Sequence, residues 1–239
     1  MSSYGPDFLF KNTFDNLQIE SSIVKSEHTT IFENTYTPSG RVQHLHSKAD
    51  DLYVNLSTIH HDADILLLCP LTNEIIIEDK AVAAFQGLKA ATIQGWLRDF
   101  DSDGLVVPSI PDFSLFSNLD VIIMSEDDIL GFEKNFLERL KEIVDTVVLT
   151  RGEHGAEVFH SRTTYFYPSC PTIPVDLTGA GDIFSIAFLY EYADSSDISL
   201  AASFAHAAAS LSIEGKGVNA IPSYSQISDR QQLYNNRYL

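Results

Sequence analysis

From residue 64 onward the chain alternates between short, unbroken apolar runs and longer stretches in which apolar residues recur at helical spacing. The runs are Asp64–Cys69, Lys89–Ile93, Asp120–Met124 and Thr146–Thr150. An unbroken run predicts a strand covered on both faces, as in a parallel sheet flanked by helices. The intervening stretches predict helices over Asp79–Phe85, Phe136–Val144, Ile183–Tyr190 and Ser199–Ile213. The last of these is rich in alanine, which offers a small-residue face for close packing. Strand and helix in alternation predict an α/β fold of three layers, α/β/α, with a mostly parallel central sheet.

The first 62 residues follow another pattern. Phe8-Leu9-Phe10 is a brief apolar run, and Leu17–Lys25 and Thr29–Tyr36 are rich in β-branched and aromatic residues. Pro38-Ser39-Gly40 signals a turn, and Arg41–His46 alternates as a half-exposed strand. These features predict a small β-sheet with one open face, whose edge offers a route to a homodimer. The expected division is therefore 1–62, the β-sheet segment, and 63–239, the α/β core.

Composition narrows the functional classes. The chain has 239 residues, 44% of them hydrophobic, and a formal net charge of −18. That charge opposes nucleic acid and anionic membrane surfaces as partners, while leaving room for a locally positive nucleotide site. The longest apolar run, Ile65 to Leu68 with Cys69, is too short to span a bilayer. Met1 to Lys11 shows no apolar run behind a basic start. Cys69 and Cys170 are far apart, each beside a proline, without metal or redox spacing, which fits a reducing, cytoplasmic setting. His44, His46, His60, His61, Asp62 and Asp64 raise a metal reading, and His61-Asp62 resembles metal phosphohydrolases. No further ligands arrive at supporting spacing, so solvated surface histidines are the expectation.

The most informative chemistry is in Val175-Asp176-Leu177-Thr178-Gly179-Ala180-Gly181-Asp182, which leads into an apolar helix. Two glycines flanking an alanine allow a sharp turn and close approach of a ligand. At a helix start their amides point outward with the positive end of the helix dipole behind them, which makes an anion pocket. A carboxylate at that pocket repels a resident anion. The conflict resolves if the anion is a phosphoryl group in transit and Asp182 takes the proton of an attacking hydroxyl. A plain glycine turn with an acid in the first helical turn is the alternative. No Walker A string occurs, which argues against a P-loop NTPase.

Asp-x-Thr-Gly-Ala-Gly-Asp before an apolar helix resembles the C-terminal signature of the PfkB, or ribokinase-like, family of sugar and nucleoside kinases. The resemblance implies that Asp182 is the catalytic base and that Gly179, Ala180 and Gly181 form the anion hole. Leu177 stands where the family usually has Thr. Thr150-x-Gly152-x-x-Gly155 resembles the family's nucleotide-phosphate turn, and the order of the two motifs along the chain agrees. Thr178, His206, Gly215 and Gly217 complete the implied ATP site, with His206 where many members carry Asn near the adenine. Ser125-x-x-Asp128 resembles the family's Asn-x-x-Glu, whose acid organises Mg²⁺ and phosphate. The Ser form is similar to inositol-kinase-like members, although Ser-x-x-Asp also reads as a capping-box helix start. Asp176 is implied in holding a monovalent cation such as K⁺.

Gln94 and Arg98, in Gln-Gly-Trp-Leu-Arg at the end of a predicted strand, are candidates for the acceptor cleft, because ligands of open α/β sheets bind beyond strand ends. A loop packed by Trp96 is the competing reading. The β segment resembles the family's lid, which excludes water from the transfer. The family's usual leading strand and Gly-Gly helix have no counterpart before Tyr4-Gly5-Pro6-Asp7, so an N-terminally short member is expected. The resulting expectation is an ATP- and Mg²⁺-dependent kinase of a sugar or polyol hydroxyl. The alternative is a catalytically impaired nucleotide-binding or regulatory remnant.

Overall fold

The computed structural model describes residues 1–8, 19–37, 40–133 and 135–238, with the backbone alone at 36, 37, 40 and 41. Leu9, Phe10, the start of the Leu17–Lys25 stretch and the Pro38-Ser39 turn lie outside the described residues. In chain order the strands are β1 (Ser2–Tyr4), β2 (Ile23–Lys25), β3 (Ile31–Thr37), β4 (Gly40–Ser47), β5 (Leu52–Val54), β6 (Ile65–Leu68) and β7 (Ile75–Ile77), then β8 (Leu88–Thr92), β9 (Arg98–Phe100), β10 (Val106–Pro108), β11 (Val121–Ser125), β12 (Thr146–Thr150), β13 (Ala156–His160) and β14 (Thr163–Tyr167). The helices are α1 (Asp79–Ala84), α2 (Phe136–Ile143), α3 (Ala180–Ser195), α4 (Ile198–Ser212) and α5 (Tyr224–Tyr238).

Two compact units emerge, and they interleave in sequence. The first comprises Met1–His61, Leu68–Phe85 and Ile93–Leu115; the second comprises Asp62–Leu67, Gln86–Thr92 and Phe116–Leu239. The boundary expected at residue 62 is thus the first of several crossings.

The first unit is built of short strand pairs. β3 and β4 form an antiparallel hairpin with Phe32 opposite Leu45 and Asn34 opposite Gln43. The hairpin is continued by a bridge from His44 to Leu105, just ahead of β10, which itself pairs antiparallel with β9. β5 runs parallel to β7. Beneath them Val54, Ile75, Val82, Phe85, Ile93 and Trp96 are buried. The run expected as a strand to Ile93 ends one residue earlier, and Ile93–Leu97 forms a 3₁₀ helix that drives Trp96 inward to 1% exposure. Its indole N–H donates to the Ile75 carbonyl at 3.4 Å.

The second unit carries a six-stranded sheet in the order β14-β13-β12-β11-β8-β6. β11 lies parallel between β8 and β12, as the apolar runs require, and β12-β13-β14 is an antiparallel meander at the other side. Helices α3 and α4 pack together, and α4 also packs on α5. The alanines of α4 are the reason: Ala201, Ala202, Ala205, Ala207 and Ala208 are all at 0% exposure, so the helix axes can approach closely. Asp197 starts α4, its carboxylate accepting from the amides of Ser199 (2.7 Å) and Leu200 (3.0 Å).

Candidate active site

The turn before α3 is held from two sides. The amides of Val175 and Asp176 both donate to the Ile213 carbonyl, at 2.7 and 3.2 Å, which fastens the segment to the end of α4. The Asp176 carboxylate then accepts from the Thr178 amide at 3.0 Å. Thr178, first, and then the Gly217 backbone and Lys216 hold that carboxyl below the usual range. Gly179 follows with φ +82°, a left-handed conformation that glycine adopts without a Cβ clash, and α3 begins at Ala180. Phe184 and Phe188, at 4% and 0% exposure, anchor the helix to the core.

This geometry leaves amides to spare. Ala180 donates to the Leu177 carbonyl (3.2 Å) and Ile183 to that of Gly179 (2.9 Å). Among the described residues, the amides of Gly179, Gly181 and Asp182 have no acceptor. These are the unpaired donors that every helix start presents. Here they are uncovered as well, because a Cβ built on Gly179 or Gly181 would meet nothing within 4 Å. The cradle therefore has both donors and room for a phosphate-sized anion, with one of its expected amides, that of Ala180, turned into the turn itself.

Asp182 stands on the first turn of α3. Solvent reaches its side chain, yet protein crowds it enough that loss of hydration raises its pKa above the ordinary carboxylate value. Accessibility decides whether a hydroxyl can reach the group; crowding decides the direction of the shift. A more basic carboxylate at an open mouth suits proton abstraction.

The second glycine turn joins β12 to β13. The Thr150 hydroxyl donates to the Met124 carbonyl (3.3 Å), and the Arg151 amide to that of Gly155 (2.8 Å). Gly152 and Gly155 both have positive φ, +51° and +95°. The Arg151 guanidinium lies 2.9 Å from Glu157 and 3.8 Å from Glu126. Glu126 begins the short helix that also carries Asp128, whose carboxylate accepts from the Ser125 amide at 2.8 Å. The capping reading of Ser-x-x-Asp thus describes this residue's own bond, and one carboxyl oxygen is already committed.

Two expectations need correction. His206 was expected beside the adenine, but it is 6% exposed and lies in the core. Its ring stacks on Tyr234 of α5 (5.9 Å, 12°) and meets Phe184 edge-on (5.1 Å). Burial drives its pKa down to about 4. Arg98 was expected to reach into an acceptor cleft, but it is 9% exposed, donates to Gln43 Oε1 at 3.0 Å and lies 5.7 Å over the Phe32 ring. Gln94 sits half-buried on the 3₁₀ turn with Trp96. Two cations stand inside the matched motifs without having been singled out from the sequence: Arg151, paired with Glu157 and Glu126, and Lys216, near Asp176.

For the metal reading, His61 Nε2 meets the Leu56 carbonyl at 3.2 Å. Among the described residues no three His, Cys, Asp or Glu come together to hold an ion. Nor is any described helix long and apolar enough to cross a membrane.

Residues 21–224 match the model of the pfkB family carbohydrate kinases. The chain belongs to that family. It is 34% identical over 105 residues to the ribokinase of Bacillus subtilis (strain 168), covering 44% of this chain and 36% of that one. It is 35% identical over 106 residues to the 2-dehydro-3-deoxygalactonokinase of Haloferax volcanii, covering 41% of this chain and 33% of that one. The matched stretch spans about a third of the length of these relatives. Among solved structures, Thermotoga maritima ribokinase superposes with a TM-score of 0.72 at 21% identity, covering 96% of this chain and 80% of that one. Arabidopsis thaliana ribokinase, complexed with ribose and ATP, gives 0.72 at 18%, covering 97% and 81%. The pfkB-family chain therefore has the ribokinase fold, an α/β fold with a mostly parallel sheet.

Proposed function

We propose that this protein transfers the γ-phosphate of ATP to a hydroxyl of a sugar or polyol, with Asp182 as general base. The observation that carries the reading is the uncovered set of unpaired amides at the start of α3, with a carboxylate of raised pKa beside it. Asp182 accepts the hydroxyl proton as the oxygen attacks. The amides of Gly179, Gly181 and Asp182 donate to the phosphoryl oxygens as charge redistributes over them, and fixed donors do so without reorganising. The Thr150–Gly155 turn, with Thr178, Gly215 and Gly217, supplies backbone to the rest of the nucleotide. His206 acts by packing, behind Phe184.

The residues fit a magnesium ion held chiefly by nucleotide phosphates and water, as Mg²⁺ prefers, with the Asp128 carboxylate as the protein's contribution. Such an ion would neutralise charge on the β- and γ-phosphates. Asp176, which accepts from the Thr178 amide, is the residue that would help to hold a monovalent cation.

The test is a screen of sugars, polyols, sugar acids and nucleosides with Mg-ATP, run beside Asp182→Asn. Turnover on one acceptor class that the variant abolishes supports the reading. Nucleotide binding with no turnover on any acceptor overturns it in favour of a non-catalytic member.

A further inference from the structure

Strands β11 and β12 lie side by side in the second unit with Ser125 opposite Thr150, so the turns that follow them leave the sheet at one edge. The sequence loads that edge with acid: Glu126, Asp127 and Asp128 after β11, Glu153 in the turn after β12, and Glu157 on β13. A polyanion that approaches it meets like charge. Arg151 stands among these carboxylates. Its Nη1 lies 2.9 Å from Glu157 Oε1 and its Nε 3.8 Å from Glu126 Oε2. All three side chains are half-buried, so their charges are screened less than on an open surface.

Two observations point to a role in charge. Backbone already shapes the turn that Arg151 opens: its amide donates to the Gly155 carbonyl (2.8 Å), and its carbonyl accepts from the His154 amide (2.9 Å). The guanidinium is not what folds that turn. Nε, in addition, is buried without a hydrogen-bond partner among the described residues, because Glu126 is too far away for such a bond. At that distance the tie to Glu126 is one of charge. The same edge is joined to the segment that leads into the signature turn, since the Ser169 hydroxyl donates to the Glu153 carbonyl.

We propose that Arg151 is a positioning residue for the phosphoryl donor: by neutralising Glu126 and Glu157 it lets a triphosphate lie over an otherwise acidic edge. The inference rests on the kinase reading for its ligand, a nucleoside triphosphate with magnesium. Arg151 acts through the two carboxylates and not by gripping phosphate itself.

The test is Mg-ATP affinity, read by calorimetry on the full chain, with ATP and acceptor KM wherever there is turnover. Arg151→Met keeps the stem and removes the charge. Its Mg-ATP Kd should rise about tenfold at low salt, with acceptor KM within about twofold of the parent, and the penalty should shrink as ionic strength rises. Arg151→Lys should recover most of the affinity. The sharpest variant removes the anions instead: Arg151→Met/Glu126→Gln/Glu157→Gln should return Kd to within about threefold of the parent. Glu126→Gln/Glu157→Gln with the arginine intact should bind Mg-ATP as tightly as the parent or more tightly. That variant carries the test even where Arg151→Met fails to fold. An unchanged Kd in Arg151→Met overturns the proposal. So does a triple variant as weak as Arg151→Met alone, which would make the guanidinium a phosphate ligand or a support of the turn. Looser binding in Glu126→Gln/Glu157→Gln overturns it as well. Mg-ATP binding without turnover on any acceptor removes the kinase reading and leaves these affinities to decide. A parent protein that binds no Mg-ATP removes both.

Discussion

Asp182 and His206 sit on neighbouring helices, α3 and α4, and loss of hydration shifts both of their pKa values. The consequences are opposite. Asp182 is reached by solvent at the start of α3, so on the proposed reading its raised pKa is a reactivity. His206 is in the core, between Phe184 and Tyr234, with Nε2 lacking a hydrogen-bond partner among the described residues, so its depressed pKa bears on stability. The same physical cause makes one group chemistry and the other structure, and access to ligand is the difference.

The largest expected effect tests Asp182. Asp182→Asn removes the proposed base while keeping size and shape, and kinase activity should fall on the order of 10²–10⁴-fold. The fold should not suffer. The folded protein raises this carboxyl's pKa, so its ionised form is disfavoured, and a neutral amide relieves that cost. Thermal denaturation should therefore give an unchanged or slightly higher Tm. A large fall in Tm together with activity would mean that Asp182 is structural and would erase the contrast with His206. On the proposed mechanism, the acid limb of kcat/KM should lie above the ordinary carboxylate range, because a general base must be ionised to accept a proton.

The buried group answers to pH through stability. His206 has a folded pKa of about 4 against an ordinary value of 6.5. The unfolded chain therefore binds the proton first, and stability is lost as pH falls from 6.5 toward 4. Over that window the loss amounts to about 3 kcal/mol from this group. Chemical denaturation at pH 7.5 and pH 5 should show it, and His206→Phe should flatten the dependence. If the slope survives the substitution, other groups carry it.

Much of this was legible before any coordinates. Buried strands such as Val121–Ser125 and Thr146–Thr150 announce themselves, because a strand covered on both faces has no polar positions to interrupt it. The signature turn was legible as a turn because a glycine at a helix start can take the left-handed conformation that Gly179 adopts. The fate of His206 was not, since it depends on Tyr234 folding back from α5 onto α4, a contact that no local spacing encodes. Arg98 was misread for a similar reason. The rule that ligands gather beyond strand ends placed it in a cleft, but the 3₁₀ turn at Ile93–Leu97 and the buried Trp96 lead the chain into β9, beside the hairpin. The interleaving of the two units likewise comes from contacts distant in sequence.

The glycine turns repeat the contrast at smaller scale. A Cβ on Gly155 would stand 2.2 Å from the Tyr167 carbonyl oxygen, in a backbone at φ +95°. The protein's own packing demands glycine there, and Gly155→Ala should cost about 2 kcal/mol. Gly181 is different: its φ is ordinary for a helix and a Cβ would meet open space. Nothing inside the described chain requires glycine at that position, so on the proposed reading glycine serves whatever approaches it. Gly181→Ala should leave Tm unchanged or raise it by the few tenths of a kcal/mol that alanine brings to a helix, while ATP KM rises or kcat falls. Paired thermal melts and kinetics on the two variants separate the cases. Equal destabilisation would place Gly181 among the packing glycines, whereas full activity in Gly181→Ala would show that no phosphate comes close to the start of α3.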